Sequence, residues 1–311
     1  MPLYFLGVDG GQSATKALIG DDAGRVVGHG RAGPCNHVHG AGGREKFTGA
    51  IEGSVGEAAR RAGLDAATIR FEAACLGFSG GPEDKRVILE SMLRCDRLLV
   101  THDAMIALAG ATSGAAGIIT IAGTGSIAFG RHAQGRVARA GGWGYVFGDE
   151  GGGFDITRQA LRAALRAEEG WGPPTALRET LLKATGADTA NDLLHRFYTS
   201  AWTRPRIADL ARAVEDTARR GDTTAREILD RAASELAALA GAVRGQLFDP
   251  ADKVRVAWIG GVFRGEFVRE RFRALVPFAG PPDHGPATGA LLEAWRAAGL
   301  HPVLSNVPEE S

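Results

Sequence analysis

The apolar run LYFLGV at residues 3–8 breaks off in Asp9-Gly10-Gly11, and a second apolar run that begins at Gly117 breaks off in Gly123-Thr124-Gly125. Each is followed by a returning strand-like run, SATKALIG in the first case and IAFGRH in the second. A further turn and a third run, RVVGHGRA or RVARAGGWG, come next. Strand, tight turn and returning strand, given twice, constrain the chain to two similar halves that each open with a three-stranded meander. A length of 311 residues exceeds a usual single core and fits that duplication. The expected boundary falls near residue 114, around ATSGAAG. Residues 1–113 then form the first domain, completed by a C-terminal helix at 286–311, and residues 114–285 form the second, with a helical insertion.

Beyond the first meander, helical spacing at 42–61 is followed by a strand at EAACLGFSG, a helix beginning at Pro82 and a strand at RLLVTHDA. That alternation predicts parallel pairing through helical crossovers and an α/β fold. Residues 154–248 read as mostly helical, including a long Ala/Leu-rich stretch from Thr223 to Phe248. KVRVAWIGGVF then supplies a strand, RGEFVRERFRALV a helix, and Pro286 to Ala298 a last helix before a fraying tail.

Lysine plus arginine balances aspartate plus glutamate at 36 each, so no overall field draws the chain to nucleic acid or an anionic membrane. An anionic ligand must be held locally. Cys35, Cys75 and Cys95 have no CxxC spacing, which argues against a disulfide framework or a zinc site and for a cytoplasmic protein. The apolar start meets Asp9 too soon for a signal peptide, and no run approaches the roughly 20 residues that span a bilayer.

Three glycine clusters end three apolar strands: VDGGQS at 8–13, IAGTGS at 121–126 and WIGGVF at 258–263. Glycine lets backbone amides approach an anion closely, and such amides bind phosphate without a lysine. Neither GxxxxGK[ST] nor a clean GxGxxG is present, which disfavours the P-loop and dinucleotide folds. Asp9 beside Gly10, Gly11 and Ser13 suits a carboxylate holding hydrated magnesium next to phosphate-binding amides, with Thr124 and Ser126 as the second-half counterparts.

GVDGGQSATK, the Asn36-His37 pair, THDA at 101–104, IAGTGS and GGWGYVFGDEGG stand in the order and at about the spacing of a known group. The chain resembles the N-acetylglucosamine kinase group of the BadF/BadG/BcrA/BcrD-type ATPases, in the actin-like, sugar-kinase and heat-shock-ATPase superfamily, over almost its whole length. The resemblance implies two ribonuclease-H-like domains with an interdomain cleft for ATP and an amino sugar, magnesium as cofactor and a homodimer. It implies ATP binding near Asp9, Gly10, Gly11, Gln12, Ser13, Lys16, Thr124, Gly260, Gly261 and Arg264, with Ala208 and Asp209 near the adenosine. Where such kinases read GGGT in the first loop, this chain has Gly11-Gln12-Ser13.

Phosphoryl transfer to a hydroxyl needs alignment, charge neutralisation and a carboxylate to take the proton. Asp103 follows the strand RLLVTH at its expected carboxyl end, where ligands gather in open α/β sheets. It can be the N-cap of the following helix, and by resemblance it is the catalytic base. Asn36 is a turn asparagine or, by resemblance, a sugar ligand. His37 and His39 read as surface loop residues and are assigned no metal. Trp143, Tyr145 and Phe147 alternate as strand residues on one packed face would, whereas the resemblance makes Trp143, Gly144, Tyr145 and Val146 neighbours of the sugar together with Gly125 and Ser126. Asp149 and Glu150 read as a solvated acidic turn or as acids at the N-terminus of the helix beginning FDITRQAL. The resemblance aims one of them, Glu150 in preference, at sugar hydroxyls.

Two rival functions remain in view. Related ATP-driven activators of dehydratases or reductases hold an iron–sulfur cluster by cysteines, which the three scattered cysteines do not match. A sugar sensor would have lost the chemistry, yet Asp9, Asp103 and the Gly-Thr-Gly loop all stand, and no helix-turn-helix extension precedes Met1. The expectation is therefore an ATP-dependent kinase of the 6-hydroxyl of an amino sugar, most readily N-acetylglucosamine, with glucosamine, N-acetylmuramic acid and glucose as alternatives.

Overall fold

The computed structural model describes residues 2–35, 38, 42–79 and 83–309. They divide into two compact units, residues 1–115 with 282–311, and residues 116–281.

The first unit opens with the meander β1 (Tyr4–Gly10), β2 (Thr15–Asp21) and β3 (Val26–Ala32), continues through α1 (Gly43–Arg61) to β4 (Phe71–Phe78), and through α2 (Glu83–Met92) to β5 (Cys95–His102) and α3 (Asp103–Ala111). Pro82, read as the start of α2, lies outside the described residues. The strand order is β3-β2-β1-β4-β5, antiparallel in the meander and parallel from β1 to β4 to β5.

The second unit repeats that order. It comprises β6 (Gly117–Ala122), β7 (Ser126–Arg131) and β8 (Val137–Gly141), then α4 (Gly153–Glu168), α5 (Leu177–Thr185), α6 (Ala190–Phe197), α7 (Arg204–Ala208), α8 (Ala211–Arg219) and α9 (Thr223–Leu247). β9 (Val256–Ile259), a 3₁₀ turn at Gly261–Arg264, α10 (Glu266–Leu275) and the two-residue β10 (Ala279–Gly280) follow. Its sheet runs β10-β9-β6-β7-β8, the same arrangement of meander plus parallel strands. The stretch read as mostly helical resolves into six helices. β10 is too short to leave a pattern in sequence.

The last helix, α11 (Pro286–Ala297), belongs to the first unit, where it covers β1 and β4 and crosses α3. Its approach to α3 is backbone to backbone: a Cβ on Gly289 would overlap the Ile106 carbonyl and the Gly110 backbone. Closer packing of that kind brings Trp295 into full burial against Phe5, at 6.1 Å between ring centroids, with its Nε1 donating to the Asp21 carbonyl at 2.9 Å. Trp295→Ala is expected to cost about 3–5 kcal/mol, because transfer and cavity terms add to a lost hydrogen bond. Urea unfolding checks it; a shift below about 1 kcal/mol would mean that α11 contributes little to this core.

Candidate phosphate and sugar site

In the first unit the ladder registers set the site. Gly10 lies beside Phe78 and Phe78 beside His102, so the carboxyl ends of three parallel strands come out along one edge. Residues one step further along each chain, Gly11, Ser79 and Asp103, therefore share that edge. At about 4.8 Å per strand spacing, Asp9 and Asp103 stand roughly 10 Å apart across it.

The turn after β1 is closed by the Gly11 N–H donating to the Ala14 carbonyl at 3.0 Å, and the Cys35 N–H donates to the Gly11 carbonyl at 3.2 Å. Gln12 and Ser13 are exposed at its tip, while Asp9 is half-buried and pairs in register with Lys16 on β2. Beneath the turn lie Phe78, the buried thiol of Cys35 and Lys85, a lysine only 1% exposed that ion-pairs with Asp84 at 3.1 Å. Burial pushes the Cys35 thiol up from its ordinary value, which makes it a packing group rather than a nucleophile.

Asp103 is exposed, and it is the first residue of α3 rather than its N-cap; His102 holds the cap position in extended backbone. The helix start still uses the carboxylate, since Oδ1 accepts the Ala104 N–H at 2.8 Å. Oδ2 accepts the Ser79 hydroxyl at 2.7 Å. Two donors fix the rotamer and leave the remaining lone pairs facing out. Ser79 escaped the sequence reading because its partner lies 24 residues away, at the start of α3 beyond the neighbouring strand. Asn36, His37 and His39 lie outside the described residues.

In the second unit the Gly123-Thr124-Gly125 turn is stapled to the start of α4. Gly153 donates to the Gly123 carbonyl at 2.8 Å and Phe154 to the Thr124 carbonyl at 3.1 Å. Ser126 Oγ donates to the Glu150 carbonyl at 2.6 Å, and the Ser126 N–H reaches Asp149 Oδ1 at 3.4 Å. Asp149 adopts φ +65°, and its carboxylate occupies the place where a side chain on Gly125 would sit. Asp149 is thus bound to the turn, whereas the Glu150 side chain is exposed. Neither acid starts the helix. Gly152 is the N-cap of α4 and the first-turn acid is Asp155, which accepts the Gly151 N–H at 3.2 Å.

The alternation of Trp143, Tyr145 and Phe147 does not make a strand face. β8 ends at Gly141, and Gly141, Gly142 and Gly144 all have φ between +72° and +81°, which turns the chain out of extended conformation. Trp143, Val146 and Phe147 project into solvent at 66%, 66% and 84% exposure, too open for core residues. Trp143 stacks on Arg139, and Tyr145 lies between Phe154 and Arg204.

A cavity of about 490 Å³ in the same unit is lined by Thr124, Ala208, Asp209, Gly261 and Arg264, five positions flagged in the sequence for nucleotide binding. Gly260 turns the chain into it at φ +112°. Arg212, Glu215 and Arg219 of α8 also line the cavity and were not read from sequence. The Arg212 guanidinium reaches Asp209 at 3.1 Å. Among the described residues there is no group of three side chains suited to a metal ion and no helix long and apolar enough to cross a membrane.

The family model described as the BadF/BadG/BcrA/BcrD ATPase family matches residues 6–294. A Clostridium acetobutylicum protein named N-acetylmuramic acid/N-acetylglucosamine kinase is 35% identical over 280 residues, spanning 88% of this chain and 90% of that protein. An N-acetyl-D-glucosamine kinase of Dictyostelium discoideum is 29% identical over 83% of this chain and 84% of its own length. A crystal structure from Chromobacterium violaceum, provisionally named an N-acetylglucosamine kinase, matches with a TM-score of 0.71 at 29% identity, covering 93% of this chain and 98% of that one.

Proposed function

The chain belongs to the BadF/BadG/BcrA/BcrD ATPase family, and on that premise we propose that it is an ATP-dependent kinase of the 6-hydroxyl of an amino sugar, N-acetylglucosamine first. The observation that carries the reading is the edge of the first sheet, which holds a half-buried Asp9 at a glycine turn and, two strands away, an exposed, hydrogen-bonded Asp103. The first is suited to the cation that accompanies a nucleotide's phosphates and the second to an incoming hydroxyl.

Asp103 serves as the base. It accepts the proton of the sugar hydroxyl as that oxygen attacks the terminal phosphorus, and ADP leaves. The amides around Gly11, Thr124 and Gly261 and the Arg264 guanidinium take up phosphate charge, with Gln12, Ser13, Lys16 and Gly10 shaping the first turn and Asp209 beside the nucleoside. A half-buried carboxylate at a glycine turn fits magnesium, which keeps most of its waters and is otherwise held by substrate phosphates, so Asp9 would hold that ion. It would supply neutralising charge. Trp143 to Val146 offer exposed aromatic and backbone surface to the sugar, with Gly125, Ser126 and Asn36 alongside. Because Asp149 is occupied by the Ser126 amide, the Glu150 side chain is the better placed to accept sugar hydroxyls. A homodimer working in the cytoplasm completes the proposal.

Coupled ADP release with N-acetylglucosamine, N-acetylmuramic acid, glucosamine and glucose tests it. The acetylated sugars are expected to raise ADP release far above the rate with water alone, and by about 10-fold or more over glucose, a difference within reach of one or two pocket contacts. If no sugar raises the rate, the kinase reading fails.

A further inference from the structure

Glu215 sits in the middle of α8 and is only 7% exposed. One of its oxygens, Oε1, is fully used: it accepts the N–H groups of Glu266 and Phe267 at 2.7 and 3.1 Å, capping the start of α10, and has the Arg219 guanidinium at 3.5 Å. The other, Oε2, is buried and makes no hydrogen bond. Three buried side-chain atoms among the described residues are in that condition, and this is the one that belongs to a residue lining the 490 Å³ cavity. A carboxylate oxygen removed from water with no donor in exchange is costly, so a fold that retains one has a use for it or a ligand that satisfies it.

The surroundings favour the second. Oε2 lies against Gly265, where a Cβ would come within 2.7 Å of it, and Gly265 itself borders the cavity. Glycine leaves the carboxylate room at the wall. Elsewhere the wall carries Ile156, Leu229 and Val268, an apolar surface, the charged side chains of Arg212, Asp216, Arg219 and Arg264, and the Gly123-Thr124 turn with its backbone amides. An anionic phosphate group would be repelled by Glu215 and belongs at the turn. What fits beside Glu215 is a neutral group that donates a hydrogen bond.

We infer that Glu215 is a specificity-determining residue whose Oε2 accepts a hydrogen bond from the nucleoside part of the nucleotide, supplied by a ribose hydroxyl or by the adenine amino group. The inference rests on the reading of this cavity as a nucleotide site. It gives the cavity a means of selecting one nucleotide, which backbone amides at phosphates cannot provide because every nucleoside triphosphate carries the same phosphates.

The test is a set of initial rates at saturating sugar with ATP, 2′-deoxy-ATP, 3′-deoxy-ATP and ITP, each analogue lacking one donor. The native protein is expected to lose about 10- to 100-fold in kcat/KM with the analogue that lacks the donor read by Glu215, as for other hydrogen bonds to charged groups. Which analogue loses distinguishes ribose from base. Glu215→Gln keeps an oxygen for the α10 amides but replaces Oε2 by an NH2; it is expected to lower kcat/KM for ATP and to narrow the spread among the four to within about threefold. Gly265→Ala, which crowds Oε2 without altering its chemistry, is expected to narrow the spread in the same direction, and thermal melting confirms that each variant is folded. Use of all four nucleotides within threefold by the native protein overturns the inference, whatever the variants do. So does a folded Glu215→Gln that keeps the native ratios. Absence of ADP release with ATP and every sugar is a separate result, which removes the kinase reading itself.

Discussion

Replacing Asp103 by asparagine is expected to lower kcat by about 10²- to 10⁴-fold while the KM for sugar stays within a few-fold of the native value. The substitution is close to isosteric. Asparagine can still accept the Ala104 N–H through its oxygen, and its NH2 can meet the Ser79 hydroxyl, which accepts as readily as it donates. Helix α3 and the edge of the sheet are therefore left as they are. What disappears is a group able to take a proton from the attacking hydroxyl. Coupled ADP release at saturating sugar and ATP measures kcat, and a sugar titration gives KM. Retention of more than a tenth of native kcat would remove Asp103 from the role of base and leave it as a helix-start residue. A rise in KM alone would make it a sugar ligand without a part in the chemistry.

The second large effect is expected at Gly260. Its backbone, at φ +112° and ψ 168°, lies in a region that residues with a Cβ enter only under strain, and a Cβ there would overlap the Ala122 carbonyl at the end of β6. Backbone strain of about 1–3 kcal/mol and a packing overlap of about 1–3 kcal/mol add to about 2–6 kcal/mol for Gly260→Ala. Against a typical domain stability of about 5–15 kcal/mol that is a large fraction. The overlap is with backbone, so β9 must shift along β6 or away from it, and the turn that brings Gly261 and Arg264 to the cavity shifts with it. Nucleotide affinity is expected to fall together with stability. Gly261→Ala is the control, since open space surrounds that residue and its substitution should leave the melting temperature within a degree or two. Calorimetric titration with a non-hydrolysable ATP analogue and thermal unfolding report the two quantities. Equal melting temperatures of the two variants would mean that the Gly260 turn is not a constraint on the fold around the site.

Particular residues show how far the sequence carries. The ends of β1, β6 and β9 were legible because an apolar run stops at glycines in each, and strands that pair in parallel deliver their ends to one edge of each sheet. Asp103 was legible for the same reason, being the first residue after β5. Its partner Ser79 was not, because the hydrogen bond depends on the register of β4 against β5 and no local pattern records a register. Trp143, Tyr145 and Phe147 misled in the opposite way. A period of two suggests a strand, but glycines at positive φ override it and hand the same residues to solvent. Asp149 and Glu150 stand beside each other in sequence with only a preference for Glu150 between them, and a left-handed backbone at Asp149 folds one carboxylate back on the turn and leaves the other out. Glu215 was invisible, since an acid on an amphipathic helix reads as surface until the amides it caps, 51 and 52 residues further on, are placed against it.

The first unit is assembled from two separated pieces of chain, with the whole of the second unit between them. During synthesis the ribosome delivers β1 to β5 first, yet α11, which covers β1 and carries Trp295 into the core, emerges last. Until then the apolar face around Phe5 and Leu18 lacks the cover of α11 and has Ile106 of α3 against it, while the second unit is already whole and free to fold. The nascent chain must hold its first sheet in waiting for the time it takes to make some 170 further residues, about 8 to 34 seconds at about 5–20 residues per second. The exposed sheet is the aggregation-prone species that a folding helper would meet, and the tight glycine contact of α11 with α3 is the latch that ends the interval.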